Sequence, residues 1–236
     1  CLPGRDFAAN RRIPRRECRT QPPQFFVDFI QNHDQTGNRA QGERLISLAG
    51  ADKTRVLLAA LLLSPHIPLL FMGEEFGETH PFLFFTDFHG ELAKAVREGR
   101  AKEFTGHAGQ DETVPDPNDV NTFIRSKLDW NKIATDEGKT WLRYTRHLLT
   151  LRHRYIVPLL HPGGAVEGHV LKTAPGMVAV SWRFPSGTLS LALNIGTKPV
   201  DLPALAGETR FAWPEVNDVL PPNGIVVRFA DGEASL

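Results

Sequence analysis

Cysteine is nearly missing from this sequence: two residues in 236, Cys1 and Cys18, both in the first two dozen positions. So few thiols exclude a disulfide framework and point to a reducing, cytoplasmic location. Neither sign of charge is in excess, with 27 basic residues against 27 acidic ones and a pI near 7.3. That balance gives no reason to expect a nucleic-acid partner or an anionic membrane surface. Residues 1–24 lack the apolar core of about 7–15 residues that a signal peptide needs. A long apolar run is also missing. The uncharged stretch from Val56 to Gly73 is split by Ser64, Pro65, His66 and Pro68, so it reads as a buried helix handing over to a buried strand, with no membrane span. Glu74, Glu75 and Glu78 lie close together but without histidine at ligand spacing, which makes a weak metal site. No metal and no cofactor is expected.

What is present is a strand–helix–strand unit. Phe25, Phe26, Val27, Phe29 and Ile30, interrupted only by Asp28, predict a strand buried on both faces. It ends in Asn32-His33-Asp34-Gln35 and a polar, glycine-containing loop through Arg39. A helical pattern then runs from about Gln41 to Ser64, with a break at Gly50 and a restart capped by Asp52. Leu45, Leu48, Val56, Ala59, Ala60 and Leu63 form its apolar stripe. Pro65 and Pro68 end the helix. Glu43 reads as a first-turn acid favoured by the helix dipole. A second strand, Pro68 to Met72, leads into the acidic loop holding Glu74 and Glu75. Two parallel strands would deliver their polar ends to one side, where α/β folds collect ligands.

FIQNHDQTGNRAQGERL, followed by PLLFMGEEFGETHPFLFFTDFHGEL, resembles the trehalohydrolase branch of the α-amylase-type glycoside hydrolase family. The resemblance covers most of the chain from about residue 25. It implies that Asp34 is the third catalytic carboxylate, a transition-state stabiliser, and that His33 contacts sugar. Asn32, Gln35, Arg39, Glu74 and Glu75 become candidate substrate contacts. The implied substrate is maltooligosyltrehalose, an α-1,4-glucan, cleaved with retention at the bond next to its terminal trehalose. The family's nucleophile and general acid, about 5–5.5 Å apart in a retaining pair, precede the Asn-His-Asp strand. Here only 24 residues precede Phe25, with Asp6 and Glu17 in unsuitable settings. The expectation is a C-terminal fragment without those two carboxylates, inactive when isolated. Two alternatives stay open. One is an α-1,4-glucan branching enzyme, which shares LLFMGEEFG but usually carries an acid where Gln35 stands. The other is a non-catalytic glycan-binding or structural remnant.

The expected fold is α/β plus β: the last two strands and helices of a (β/α)8 TIM barrel over 25–156, then a small antiparallel β-sandwich over 157–236. A whole barrel needs about 250 residues and does not fit. Residues 1–24, rich in arginine and without periodicity, read as a disordered leader, and a boundary near residues 20–25 would explain the start at Cys1. A short helix is expected over 87–100, a long loop over 104–121, and an insertion at Ser126 to Trp130. Phe82, Phe84, Phe85 and Phe88 could wall a sugar site or belong to the core. The helix from Lys139 to Tyr155 carries Trp141, Tyr144, Leu148, Leu151 and Tyr155 on one stripe, with Arg143, Arg146, Arg152 and Arg154 outside it. Pro158 ends it. Alternation at 177–182 and 189–193 and short strands at 200–202, 209–213 and 225–229 supply the sandwich.

Overall fold

The computed structural model describes residues 22–104, 114–161 and 166–232; the first 21 residues of the expected leader and the middle of the expected long loop fall outside them, while the leader's last residues enter a 3-10 turn over Pro23–Phe25. It divides into two compact units, one built from residues 28–63 and 68–151, the other from residue 152 onward together with 64–67 and the stretch up to Val27.

The two expected parallel strands exist but are short. Strand β1 is Val27–Asp28 and β2 is Ile67–Pro68. Ile67 N donates to Phe26 O and Leu69 N to Asp28 O, donor and acceptor advancing together, so the pair is parallel. Burial on both faces is corrected: Phe25 is 71% exposed, and Val27, Phe29, Ile67 and Leu69 are exposed as well. Among the described residues this sheet has two strands, and a two-stranded ribbon has no neighbours to hide its faces.

In the first unit, helix α1 (His33–Gly37), α2 (Leu45–Ala49) and α3 (Ala51–Leu62) follow β1. Gly50 separates α2 from α3 at φ 83, as the break predicts, but Gly50 itself is the cap of α3. Asp52 lies in the first turn and pairs with Arg55 at 2.9 Å. On α2 the buried residue is Ile46, and Leu48 is exposed. A five-residue helix that turns at Gly50 keeps no long-range phase with α3, so one stripe cannot serve both. Val56, Leu58, Ala59, Leu61, Leu62 and Leu63 are buried, more than one face, as in a helix enclosed by its neighbours. Helix α4 (Gly90–Phe104) is longer than expected, and α5 (Val120–Arg125) occupies the end of the expected loop. Helix α6 (Asp136–Leu151) packs on α3: Tyr144 Oη donates to Arg55 O at 2.9 Å and Trp141 is buried.

Gly77 lies at φ +69, and a Cβ there would collide with the Trp141 indole. Gly77→Ala should therefore destabilise this unit by about 2–4 kcal/mol, the sum of left-handed strain and overpacking. Chemical denaturation would show it as a lower midpoint.

In the second unit the helix continues as a π-turn over Arg152–Ile156 and a last α-turn, α7 (Val157–Leu160). The π-turn takes an extra residue and rotates Arg152 inward. Contrary to the expected outer position, Arg152 is buried and donates to Ser64 O and His66 O, both at 2.6 Å. Pro158 sits in the first turn of α7 and does not end the helix. Strands β3 (Glu167–Ala174), β4 (Met177–Phe184), β5 (Gly187–Asn194), β7 (Glu208–Trp213) and β9 (Gly224–Asp231) form a five-stranded antiparallel sheet in the order β3-β4-β5-β9-β7. Strands β6 (Val200–Asp201) and β8 (Val219–Leu220) pair separately. Ala179, Ala192, Val226 and Ala212 are successive partners across the sheet. This row of small side chains accepts Leu205 and Leu220 into a common core with Met177. Fully buried Asn194 fixes the entry to β6: its Nδ2 donates to Lys198 O and Leu220 O, and its Oδ1 accepts from Gly196 N.

Candidate functional site

Three residues separate the Asn-His-Asp segment from β1, which ends at Asp28 and is shorter than expected, and the segment opens a helix where a loop was anticipated. Asn32 has extended backbone, and its side-chain oxygen accepts from Gln35 N at 2.8 Å. It is the N-cap of α1, which explains why a polar, glycine-containing sequence turns helical here. With Asn32 engaged, His33, Asp34 and Gln35 point to solvent. The His33 and Asp34 side chains are 70% and 71% exposed, with Nε2 of the histidine 3.2 Å from Oδ1 of the aspartate. Thr36 and Gly37, on the same short helix, are buried.

The far end of α1 is held by a residue outside the motif. Arg100 on α4 is buried, and its Nη2 donates to Gly37 O at 2.6 Å and to Arg39 O at 3.1 Å. Its Nη1 reaches Glu103 at 2.9 Å. A cation on the last carbonyls satisfies groups that a helix end leaves open. Arg39 itself does not pair with the acidic loop; it contacts Glu43 at 3.1 Å. Glu43 is not in the first turn of a helix, because α2 begins at Leu45. Desolvation pushes the Glu43 pKa up, but hydrogen bonds from the backbone and from Arg39 outweigh it and leave the pKa lowered.

Glu74 and Glu75 stand in the turn after β2, and the two differ. Glu74 is 7% exposed; its Oε1 accepts from Gln31 Nε2 at 2.8 Å and its Oε2 from Phe71 N at 2.9 Å. Desolvation raises its pKa to about 7, opposed by those two hydrogen bonds and by Arg44. Glu75 is half-buried and accepts from Gly73 N at 3.0 Å. Glu78 is buried and ties the loop to the chain ahead of Trp130, accepting from Thr79 N, His80 N and Asp129 N. Arg44 is 1% exposed. Its Nε donates to His80 O at 2.6 Å and its Nη1 to Met72 O at 2.7 Å, with the Phe71 ring 5.0 Å away.

The phenylalanines divide. Phe71, Phe82, Phe85 and Phe123 form a chain of edge-to-face contacts with centroids 5.2–5.8 Å apart, while Phe84 and Phe88 are exposed. Trp130 is exposed and lies 6.0 Å from the Phe76 ring. Among the described residues no three His, Cys, Asp or Glu side chains gather as a metal would require. No helix among them is long and apolar enough to cross a membrane. Gln31, Arg44 and Arg100 escaped the sequence reading. The only sequence signal is for Gln31, a polar residue between the strand and the motif.

No family model matches the chain. Curated relatives do. The chain is 38% identical over 197 residues to the malto-oligosyltrehalose trehalohydrolase of Brevibacterium helvolum, which covers 83% of this chain and 32% of that protein. With the enzyme of that name from Deinococcus radiodurans it is 49% identical over 137 residues, 58% of this chain and 22% of the relative. The chain thus spans between a fifth and a third of the length of these relatives. Among solved structures, a Salmonella typhimurium chain provisionally named an alpha amylase superposes with a TM-score of 0.85 at 66% identity, over 90% of this chain and 36% of that one. The isomaltulose synthase of Protaminobacter rubrum matches at TM-score 0.54 and 17% identity, over 86% and 42%, a likeness of fold alone. In sequence the chain resembles the malto-oligosyltrehalose trehalohydrolases, and in structure its neighbours are enzymes of the α-amylase family.

Proposed function

We propose that this chain is part of a glycoside hydrolase that cleaves the α-1,4 bond next to the trehalose end of maltooligosyltrehalose and releases trehalose. The observation that carries the reading is the exposed Asp34 carboxylate beside His33, on a helix whose cap is Asn32 and whose far end is clamped by Arg100. Held in this way, a carboxylate can accept hydrogen bonds from sugar hydroxyls and face the positive charge of an oxocarbenium-like transition state. His33 and Gln35, on the same helix, are the neighbouring sugar contacts. Asn32, Arg39, Glu74 and Glu75 are further candidate contacts, at the cap of that helix, just after it and in the turn after β2. Asp34 is the third carboxylate of a retaining mechanism, and no described residue is assigned to the nucleophile or the general acid. In this reading β1 and β2 are the last two strands of a (β/α)8 barrel, and the antiparallel sheet belongs to a separate β domain. The cysteine usage fits a cytoplasmic enzyme.

The test is product analysis with the gene product that carries this chain. Maltooligosyltrehalose should yield trehalose and a shortened maltooligosaccharide, while maltooligosaccharides without the trehalose end should react far more slowly. New α-1,6 branch points would assign the branching reaction instead. Binding of glucan without turnover by the gene product would assign a glycan-binding role.

A further inference from the structure

Between β1 and the Asn-His-Asp helix, one side chain links three separate stretches of chain. Gln31 is buried; its Oε1 accepts from Leu45 N at 2.9 Å, and its Nε2 donates to Glu74 Oε1 at 2.8 Å. Glu74 Oε2 accepts from Phe71 N at 2.9 Å. The line therefore starts and ends on backbone N–H donors, Leu45 at one end and Phe71 at the other. Two side chains between fixed donors must offer an acceptor at each end and one donor in the middle. An amide and a carboxylate meet that demand; two amides cannot, because one –NH2 is then turned against an N–H.

We propose that Glu74 is a positioning residue for the Asn32–Asp34 segment, acting through Gln31, and that it holds the segment only while its carboxyl is ionised. This rests on reading Asp34 as the sugar-facing carboxylate. A protonated Glu74 carries a donor on one of two oxygens that both already accept, the mismatch that a second amide would create. The group is poised for this, since desolvation lifts its pKa to about 7. The charged groups acting on it are Arg44, which favours the ion, and Glu75, which opposes it. Gln31 directly precedes Asn32, so releasing Gln31 frees the residue next to the cap of α1. A buried acceptor or donor left unmade is costly enough to shift such a segment.

Glu74→Gln imitates the protonated acid, and the exchange Gln31→Glu with Glu74→Gln restores all three hydrogen bonds, with Leu45 N and Phe71 N still donating and only the middle bond reversed. Hydrogen exchange followed by mass spectrometry on the gene product is the primary readout, with strand β5 (Gly187–Asn194) as the internal control for an intact fold. In Glu74→Gln, exchange across residues 31–36 and at Leu45 should rise about tenfold, and in the double variant it should return to the parent level. The parent should show the same loosening below pH 7 after correction for intrinsic rates. In glucan hydrolysis, kcat should fall with KM little changed in the single variant and recover in the double. Unchanged exchange in Glu74→Gln, or no recovery in the exchanged pair, overturns the proposal. Absence of any glucan activity in the parent would remove the reading of Asp34 instead, and the exchange data would still decide whether Glu74 holds the segment.

Discussion

If the proposed reading of Asp34 holds, Asp34→Asn in the gene product that carries this chain should lower kcat for trehalose release by about a thousandfold while leaving KM within a fewfold of the parent value. Asparagine keeps the shape and can still hydrogen-bond a sugar hydroxyl, so ground-state binding survives. What it loses is the negative charge, which matters most when the ring carbon becomes cationic. Removing one preorganised electrostatic group from a transition state costs about 10²–10³ in kcat, and the capped helix fixes the backbone from which the Asp34 carboxylate is presented. The fold should be untouched, because the Asp34 side chain is 71% exposed and its neighbour is the equally exposed His33. Equal losses in kcat/KM and kcat would confirm a contact made in the transition state alone. A raised KM with unchanged kcat would make Asp34 an ordinary binding residue.

The second large effect is structural. Arg44→Met should destabilise the first unit by about 3–5 kcal/mol, the usual result of removing one partner from a buried charged network. Methionine fills much of the volume, yet it leaves His80 O and Met72 O without their donors. It also removes the cation that Glu78, Glu74 and Glu75 face. Burial pulls the arginine pKa down and those carboxylates push it back up, which keeps the guanidinium charged in the interior. A urea midpoint shift worth less than about 1 kcal/mol would show that the network relaxes around the loss.

These residues also show what can be read from a sequence and what cannot. The order of strand, helix, break, helix and strand followed from proline, glycine and apolar spacing, and Gly50 parts α2 from α3 where expected. The antiparallel strands followed from alternation at β4 and β5 and from short segments between proline and glycine turns at β6, β7 and β9. Strand β3 was missed because it is largely exposed and shows little alternation. The Asn-His-Asp segment was found by resemblance, but its helical state was not. Capping by Asn32 was available from the residue type alone, and the glycine and polar run argued the other way. Buried arginines were the main blind spot. Arg44, Arg100 and Arg152 bind chiefly main-chain carbonyls, and a carbonyl has no letter in the sequence. The Arg39–Glu43 pair was missed as well: Glu43 read as a first-turn acid, and the two residues meet in the non-helical stretch between α1 and α2.

The row Ala179, Ala192, Val226 and Ala212 makes a shallow trough across four strands, with Leu220 of the β6–β8 ribbon seated over it. Such a trough restricts how this part of the gene can drift. A single step to a larger side chain at any of the four positions lifts the ribbon, so growth there must be matched by shrinkage at Leu205 or Leu220. The short β6–β8 ribbon can thus change its packing residues only in step with the sheet beneath it.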